Sequence, residues 1–284
     1  MGNIYMRFPE GKRKTLTLSY DDGVEQDLRL INIMKKYGLK GSFNINSGMY
    51  GPEGIVYPEG QIGGNRMSKS KAKELYLGSG MEVAVHGLHH PYLDQLPINL
   101  CIQEVVQDRI NLEKDYGCIV RGMAYPFGTY SESVENILRQ CGIVYARTTI
   151  STEKFDIPKD WLQLSATCHH RNPRLMELAQ MFVDSAFERN PGMFYLWGHS
   201  FEFDKNIPNN NWGVIEEFAE YMGNREDIWY ATNIEIYDYC AAYKQLIFSM
   251  DFTKVYNPTC TALYFETNKG MYCVNPGETV QYEY

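Results

Sequence analysis

The sequence predicts an α/β barrel followed by a small antiparallel β appendage. Up to residue 246, short apolar stretches typical of strands alternate about seven times with segments whose apolar residues recur at helical spacing. Repeated strand–helix units predict a parallel sheet, and about seven of them predict that the sheet closes into a barrel. From residue 247 the pattern changes to short alternating stretches separated by NP, NKG and NPG turns. We therefore expect a barrel over 1–246 and an appendage over 247–284.

The strands and helices of the barrel are predicted from the local spacing of apolar residues and from the residues at which each element ends. The first strand alternates apolar residues with threonine and serine, and the helix after it ends at Gly38. A Gly- and Pro-rich loop is predicted over 48–66, a helix over 98–116 and an irregular segment over 151–172. The strands are predicted at TLSYDDG, GSFNIN, MEVAVH, RGMAYPFG, IVYARTT, MFYLWGHS and IWYAT, and the other helices at DLRLINIMKKYG, SKSKAKELYLG, SESVENILRQCG, NPRLMELAQMFVDSAFE, NNWGVIEEFAEYMG and NIEIYDYCAAYKQL.

The composition limits the ligands that we expect. A formal charge of −8 argues against binding to nucleic acid, whereas 22 tyrosines, 13 phenylalanines and four tryptophans suit stacking on sugar rings. Seven cysteines without a CxxC pair are typical of reduced thiols in a cytoplasmic protein. The stretch MGNIYMRFPEGKRK lacks the apolar core of a signal peptide, and no run is long enough to span a membrane. We expect a cytoplasmic protein, or an extracytoplasmic one if a signal had been removed; the oligomeric state stays open.

Two adjacent carboxylates at the end of the first strand suggest a functional hypothesis. Asp21 and Asp22 repel each other, so a cation beside them is needed to keep both ionised. A bound metal would let one carboxylate coordinate while the other acts as a base. Asp-Asp-Gly is also an ordinary turn sequence, and alone it favours the turn. The other strand ends change that balance, because barrels of this kind carry their active sites at the carboxyl ends of their strands.

The segment HGLHHP, after the third strand, supplies candidate metal ligands. His86 and His90 are separated by three residues, which places both imidazoles on one side of a helical turn and suits binding of one ion. His89 is one step off and is expected to point elsewhere. Two imidazoles and one carboxylate leave coordination positions for water and substrate, as in catalytic sites.

Two further strand ends carry candidate catalytic groups. His199 follows MFYLWG and could protonate a leaving amine or alkoxide, or could be a buried histidine that bonds a carbonyl. The Pro-Phe-Gly turn could direct the amide N–H of Phe127 at a developing oxyanion. Glu202 and Asp204 could orient His199 or contact substrate, although solvated loop charges are the simpler interpretation.

Together these motifs resemble those of the polysaccharide deacetylase superfamily, the NodB-homology domain of carbohydrate esterase family four, over about residues 14–244. TLSYDDG is similar to the first motif of that family, which implies that Asp21 is the general base and Asp22 a metal ligand. HGLHHP resembles the second motif, which implies that His86 and His90 complete the metal site. The resemblance implies a divalent ion, usually zinc, with cobalt, manganese or nickel as alternatives.

The same resemblance extends to two later motifs and to the fold. AYPFG resembles the third motif and LWGH the fifth. The resemblance implies that the Phe127 amide stabilises the oxyanion, that His199 is the general acid and that Leu196 forms part of the acetyl pocket. Tyr125 and Pro126 are expected to contact the substrate. The implied fold is a distorted (β/α)7-type barrel.

Two departures from the family pattern leave the substrate open. The third motif usually begins with an arginine that orients the base, but this chain has Ala124 there, with Arg147 or Arg121 as candidate replacements. The fourth motif, an Asp-x-x-Asp-Trp pattern that tunes the acid, is matched at most by Asp160 and Trp161.

The pair His169 and His170 has no counterpart in the family pattern and either lines a substrate pocket, together with Trp161, or is structural. The sequence predicts a metal-dependent hydrolase that removes an acetyl group from an N-acetylated sugar or polysaccharide, so an acetylated carbohydrate is the expected partner. An O-acetyl esterase or other small-amide hydrolase on the same site is the first alternative. A non-haem iron oxygenase, which also uses two histidines and a carboxylate, and a catalytically silent carbohydrate-binding protein are the others.

Overall fold

The computed structural model, which describes residues 4–283, contains the α/β barrel and the antiparallel appendage that the sequence predicts. The strands are β1 (Tyr5–Arg7), β2 (Lys14–Asp21), β3 (Gly41–Ile45), β4 (Glu82–Val85), β5 (Gly122–Ala124), β6 (Tyr145–Ser151), β7 (Leu164–Ala166), β8 (Cys168–His169), β9 (Gly192–Gly198), β10 (Ile228–Tyr230), β11 (Ile247–Phe248), β12 (Lys254–Tyr256), β13 (Leu263–Thr267), β14 (Gly270–Val274) and β15 (Thr279–Gln281). The helices are α1 (Asp27–Lys36), α2 (Lys69–Tyr76), α3 (Ile98–Tyr116), α4 (Glu132–Gln140), α5 (Leu175–Asp184), α6 (Trp212–Met222) and α7 (Asn233–Tyr243). Within residues 4–283, none of these helices has both the length and the apolar character that a membrane span needs.

The strand that closes the barrel lies in the segment over 151–172, which was expected to be irregular. β7 pairs with β6 and β8 pairs with β9, all in parallel. Between β7 and β8, the N–H of Thr167 donates to the carbonyl of Tyr195 at 2.9 Å, and its hydroxyl accepts from the Tyr195 N–H at 3.0 Å. β7 and β8 are therefore two halves of one strand that joins the ends of the sheet. Each half is too short for its periodicity to be recognised in the sequence.

The central strand β2 positions the first functional motif. It pairs with β9 along nearly its whole length, with β10 over Lys14–Leu16 and with β3 over Leu18–Asp21. Successive side chains of a strand point to opposite faces. Leu16, Leu18 and Tyr20 accordingly pack into the core beneath the helices, and Asp21 points into the barrel, where Asn44 of β3 contacts it.

The appendage closes the barrel at the amino ends of its strands. β1 pairs with β13 and β13 with β14, while β11, β12 and β15 form a second small antiparallel sheet. Phe8 and Phe265 share an apolar cluster with Tyr145 and Met193, which lie at the beginnings of β6 and β9. The N-terminal strand thus belongs with the C-terminal segment, a pairing that the sequence pattern does not indicate.

Candidate active site

Three candidate metal ligands meet at the carboxyl ends of β2 and β4. Asp22 has a φ of 87° and turns the chain away from β2, and His86 directly follows β4. His90 lies in a tight turn with a φ of 55°, rather than on the helical turn that its spacing predicted. Oδ1 of Asp22 lies 4.0 Å from Nε2 of His86 and 3.9 Å from Nε2 of His90. These separations are too long for hydrogen bonds and leave room for a cation among the three atoms.

The surroundings of His86 fit a metal ligand. Its Nδ1 donates to the carbonyl of Ala124 at 2.8 Å, and its Nε2 is buried without a hydrogen-bond partner within residues 4–283. Burial lowers the pKa of His86 to about 4, so the ring is neutral and Nε2 carries a free lone pair. A second nitrogen fixed by a carbonyl is typical of ligating histidines. The buried lone pair therefore fits a bound cation.

The Gly- and Pro-rich loop over 48–66 contributes a positively charged side chain, Arg66, that no sequence pattern identified. Arg66 pairs with Oδ1 of Asp22 at 2.8 Å, bonds the Asp22 carbonyl and donates to the side chain of Asn46 at 2.7 Å. These contacts hold Asp22 in its positive-φ conformation. Arginine in a long irregular loop carries no sequence signal of such a role.

Asp21 is buried and its charge is balanced by Arg147. Asn44 donates to its Oδ1 at 2.8 Å, and the fully buried guanidinium of Arg147 donates to its Oδ2. Burial alone would raise the pKa of Asp21, but the charge of Arg147 and its hydrogen bond, aided by His199, outweigh burial and hold the pKa well below its usual range. Asp21 is therefore ionised at any ordinary pH.

The arginine beside Asp21 comes from the neighbouring strand of the sheet. Arg147 on β6 is the register partner of Ala124 on β5, the position where the family pattern has its arginine. Of the two candidate replacements, Arg147 reaches Asp21, whereas Arg121 pairs with the exposed Asp238 of α7.

His199 follows β9 and lies beside Asp21. Its Nε2 is 3.7 Å from Oδ2 of Asp21, and its Nδ1 is 3.5 Å from Oε1 of Glu202. Burial alone would lower the pKa of His199, but the contact with Glu202 and the charge of Asp21 outweigh it and raise the pKa. His199 therefore lies beside Asp21, and its raised pKa favours the protonated form that a proton donor requires.

Glu202 and Asp204, which the sequence left as solvated charges, have different environments. Glu202 is only 7% exposed and contacts His169, His170 and His199. Asp204 lies at the surface, where its carboxylate accepts from Gln26 and Trp212.

The turn at 126–128 leaves a backbone donor free. Phe127 has a φ of 60°, and within residues 4–283 its amide N–H has no hydrogen-bond partner. Its ring is 48% exposed, stacks on Tyr92 with ring centroids 3.9 Å apart, and meets the edge of His90 at 4.5 Å. The turn thus brings an unused N–H and an exposed aromatic surface beside His90, a candidate metal ligand.

Leu196 does not lie where the predicted acetyl pocket requires it. Its side chain is fully buried in the core beneath the helices, because it alternates with the inward-facing residues of β9. The neighbouring Trp197 points into the barrel, where it lies under the guanidinium of Arg147 at 4.5 Å and meets the edge of His169. Trp197 is the β9 side chain beside the site, and strand alternation counted back from His199 would have identified it.

Three other predicted substrate contacts are also buried. Trp161 packs edge-on against Tyr237 of α7 in the cluster shared with the appendage, so it cannot reach the site. Tyr125 donates its hydroxyl to the carbonyl of Leu162, and Pro126 is buried beneath the turn. These residues hold the turn and the barrel wall, and a substrate contact is not available to them.

Comparison with known proteins agrees with this architecture. The sequence profile of the family described as polysaccharide deacetylase matches residues 9–146. A putative polysaccharide deacetylase from Mycobacterium smegmatis has a similar fold, with a TM-score of 0.60 at 16% identity over 84% of this chain and 93% of that one. Peptidoglycan deacetylase PdaC from Bacillus subtilis gives a TM-score of 0.50 at 15% identity, over 84% and 95%.

A third solved structure matches a smaller part. The deacetylase PplD from Streptococcus pyogenes, in complex with acetate, is 21% identical over 52% of this chain, with a TM-score of 0.45. The match spans 61% of that protein, less than two thirds of its length. Among curated protein sequences, none matches this chain significantly.

Proposed function

Because this chain belongs to the polysaccharide deacetylase superfamily, we propose that it is a metal-dependent hydrolase that removes the acetyl group from an N-acetylated sugar. The products are acetate and the free amine of the sugar. The proposal rests on the chemistry of four groups at the carboxyl ends of the strands. The reaction type of the family is deacetylation. The proposal adds that the reaction requires a metal ion and that the bond broken is an amide bond.

One observation carries the proposal. Oδ2 of Asp21 lies 3.9 Å from Nε2 of His86 and 3.7 Å from Nε2 of His199. A single ionised carboxylate therefore lies beside both a candidate metal ligand and a histidine with a raised pKa. Hydrolysis of an amide needs this order, with a base beside the water and an acid beside the leaving nitrogen.

Asp22, His86 and His90 would hold the divalent cation, with zinc as the expected ion. When bound, such a cation polarises the acetyl carbonyl and lowers the pKa of a water molecule. Asp21 accepts the proton of the attacking water, which it can do because Arg147 keeps it ionised.

The remaining steps use groups on either side of Asp21. The N–H of Phe127 donates to the carbonyl oxygen as negative charge develops on it. His199 gives its Nε2 proton to the leaving nitrogen as the carbon–nitrogen bond breaks. The exposed face of Phe127, backed by Tyr92, offers a flat apolar surface on which a sugar ring can pack.

The test is acetate release from N-acetylchitooligosaccharides and, in parallel, from O-acetylated xylan, with the zinc-loaded protein. We expect release from the N-acetylated substrate, loss of activity with a chelator, and recovery when zinc is restored. Asp21→Asn should lower kcat by about 10²–10⁴-fold, the usual contribution of a general base, while zinc content stays unchanged. Asp238→Asn, which removes an exposed carboxylate remote from the site, is the matched control.

Each contrary result identifies a different error. A wild-type rate for Asp21→Asn would remove Asp21 from the role of base. Acetate from xylan alone would indicate an esterase. Sugar binding without acetate from either substrate would indicate a carbohydrate-binding protein.

A further inference from the structure

The turn after β9 places one carboxylate among three imidazoles. Oε2 of Glu202 lies 3.2 Å from Nε2 of His170 and 3.7 Å from Nε2 of His169, and Oε1 lies 3.5 Å from Nδ1 of His199. His170 is fully buried, and the other members are largely buried. One largely buried carboxylate therefore hydrogen-bonds His170 and lies close to two further imidazole nitrogens.

The hydrogen bonds on the far sides of two rings determine where their protons lie. Nδ1 of His169 accepts the backbone N–H of Arg171 at 3.2 Å, so the neutral ring carries its proton on Nε2, which faces Glu202. Nδ1 of His170 lies 3.3 Å from the hydroxyl of Tyr20. If that hydroxyl donates, the proton of His170 is also on Nε2 and points at the carboxylate. The opposite arrangement would set a nitrogen lone pair against Glu202 and is disfavoured.

This proton arrangement argues against a second cation site at His169, His170 and Glu202. A metal binds the lone pair of a neutral imidazole, and here the Nε2 positions of His169 and His170 carry protons. Glu202 instead accepts one hydrogen bond, from His170, and has the imidazoles of His169 and His199 close to its carboxylate. Burial would raise the pKa of Glu202, but its hydrogen bond with His170 and the neighbouring imidazole of His199 outweigh burial and hold the pKa well below its usual range.

We infer that Glu202, anchored by His169 and His170, is the positioning residue of His199, and that it fixes the Nδ1–H tautomer of that ring. The inference rests on the proposed function in giving His199 the role of general acid. Nδ1 of His199 is buried and makes no hydrogen bond within residues 4–283, so a proton on it has Oε1 of Glu202, 3.5 Å away, as its available acceptor, while Nε2 lies 3.7 Å from Oδ2 of Asp21. Nε2 then carries a proton only in the imidazolium form, which the negative charge of Glu202 stabilises.

The network of Glu202, His169, His170 and His199 restricts which residue types can stand beside it in the fold. A Cβ on Gly198 would lie 2.1 Å from Nδ1 of His170, so only glycine lets His170 approach the strand end. His170 stacks on Tyr20 and packs at a tilt against Phe203, and these contacts hold its ring in place. The pair of histidines without a family counterpart thus acquires a role in holding the carboxylate.

The first test measures protonation directly and needs no substrate. Imidazole ¹⁵N and ¹³C signals of His199 would be followed against pH in zinc-loaded wild-type protein, Glu202→Gln and the control Asp204→Asn, a carboxylate in the same turn outside the network. We expect neutral His199 to be the Nδ1–H tautomer in the wild type. Its pKa should fall by about 1–3 units in Glu202→Gln and stay unchanged in Asp204→Asn. The charged and titratable groups that face His199 in these titrations are Asp21, Asp22, Glu202, His169 and His170.

The second test follows the pH profile of deacetylation of N-acetylchitooligosaccharide. A general acid must be protonated, so activity falls as pH rises through its pKa. In Glu202→Gln this fall in activity at high pH, the basic limb of the pH profile, should occur at a lower pH. We expect a lower kcat and little change in KM. Glu202→Asp keeps the charge and should restore the limb in part.

The outcomes separate the two proposals. An Nε2–H tautomer in the wild type, or an unchanged pKa of His199 in Glu202→Gln, would overturn the role of Glu202 whatever the enzyme acts on. The tautomer measurement uses wild-type protein and stands even if the variant does not fold. Absence of acetate release together with the expected tautomer and pKa shift would instead count against the deacetylase.

Discussion

At the scale of single residues, the most consequential contact is the buried ion pair of Arg147 and Asp21. Both side chains are almost fully buried. Removing one member of such a pair leaves an uncompensated charge in the interior, which typically costs about 3–5 kcal/mol. We expect Arg147→Met to lower the free energy of unfolding by that amount in urea titrations at pH 7.

A double-mutant cycle tests the origin of that cost. Asp21→Asn removes the charge that Arg147 balances, so adding Arg147→Met to it should cost clearly less than in the wild type. Arg121→Met, which breaks a partly exposed pair with Asp238, should change stability by less than about 1 kcal/mol. Equal costs for Arg147→Met in both backgrounds would mean that packing, not charge, explains the loss.

Residue types and spacing predicted much of the candidate site, but not its supporting contacts. Asp22, His86 and His90 were identifiable because ligand spacing and strand ends are local features. Arg66 and Trp197 were not, since one lies in an irregular loop and the other depends on which face of β9 points inward. Contacts of this kind depend on long-range packing.

At the scale of elements, the end of β9 is closely packed against His170. Gly198→Ala would place a methyl group 2.1 Å from His170, so the ring or the strand must move. We expect a loss of stability of about 1–3 kcal/mol, typical of overpacking, measured by urea unfolding.

The control for Gly198→Ala is Gly213→Ala in α6, where the added methyl meets only the tip of Asn211 at 3.1 Å and stability should change by less than about 1 kcal/mol. Acetate release by Gly198→Ala should fall as well, because His170 anchors the carboxylate beside His199. A Gly198→Ala protein with wild-type stability would show that the ring moves freely.

Long elements were predictable and short paired ones were not. α3 has the predicted bounds, because nineteen residues of helical spacing leave little ambiguity. β7 and β8 together span only six residues with Thr167 between them, and their strand character comes from pairing with β6 and β9. β1 likewise owes its conformation to β13, a partner far along the chain.

At the scale of the whole molecule, barrel and appendage share one apolar cluster and should unfold together. Phe265 of β13 is fully buried in it. Phe265→Ala should lower the free energy of unfolding by about 3–5 kcal/mol, measured by urea titration, because it leaves a cavity at the base of the barrel.

Activity separates this structural role from a catalytic one. Phe265 lies at the amino ends of the strands, so kcat of the folded Phe265→Ala protein should match the wild type. Met250→Ala, at a side chain that is 93% exposed, is the control and should alter neither quantity. A separate unfolding transition for the appendage would contradict a shared core.

The position of the appendage also determines how the protein could be tethered. β1 and β15 both belong to the appendage, so the first and last described strands lie at the base, away from the catalytic groups. A linker joined to the chain beside β1 or β15 would hold the protein by its closed side and leave the entrance facing outward. Immobilised on a bead or displayed on a particle in this way, the enzyme would keep its approach route to a bulky polymer clear.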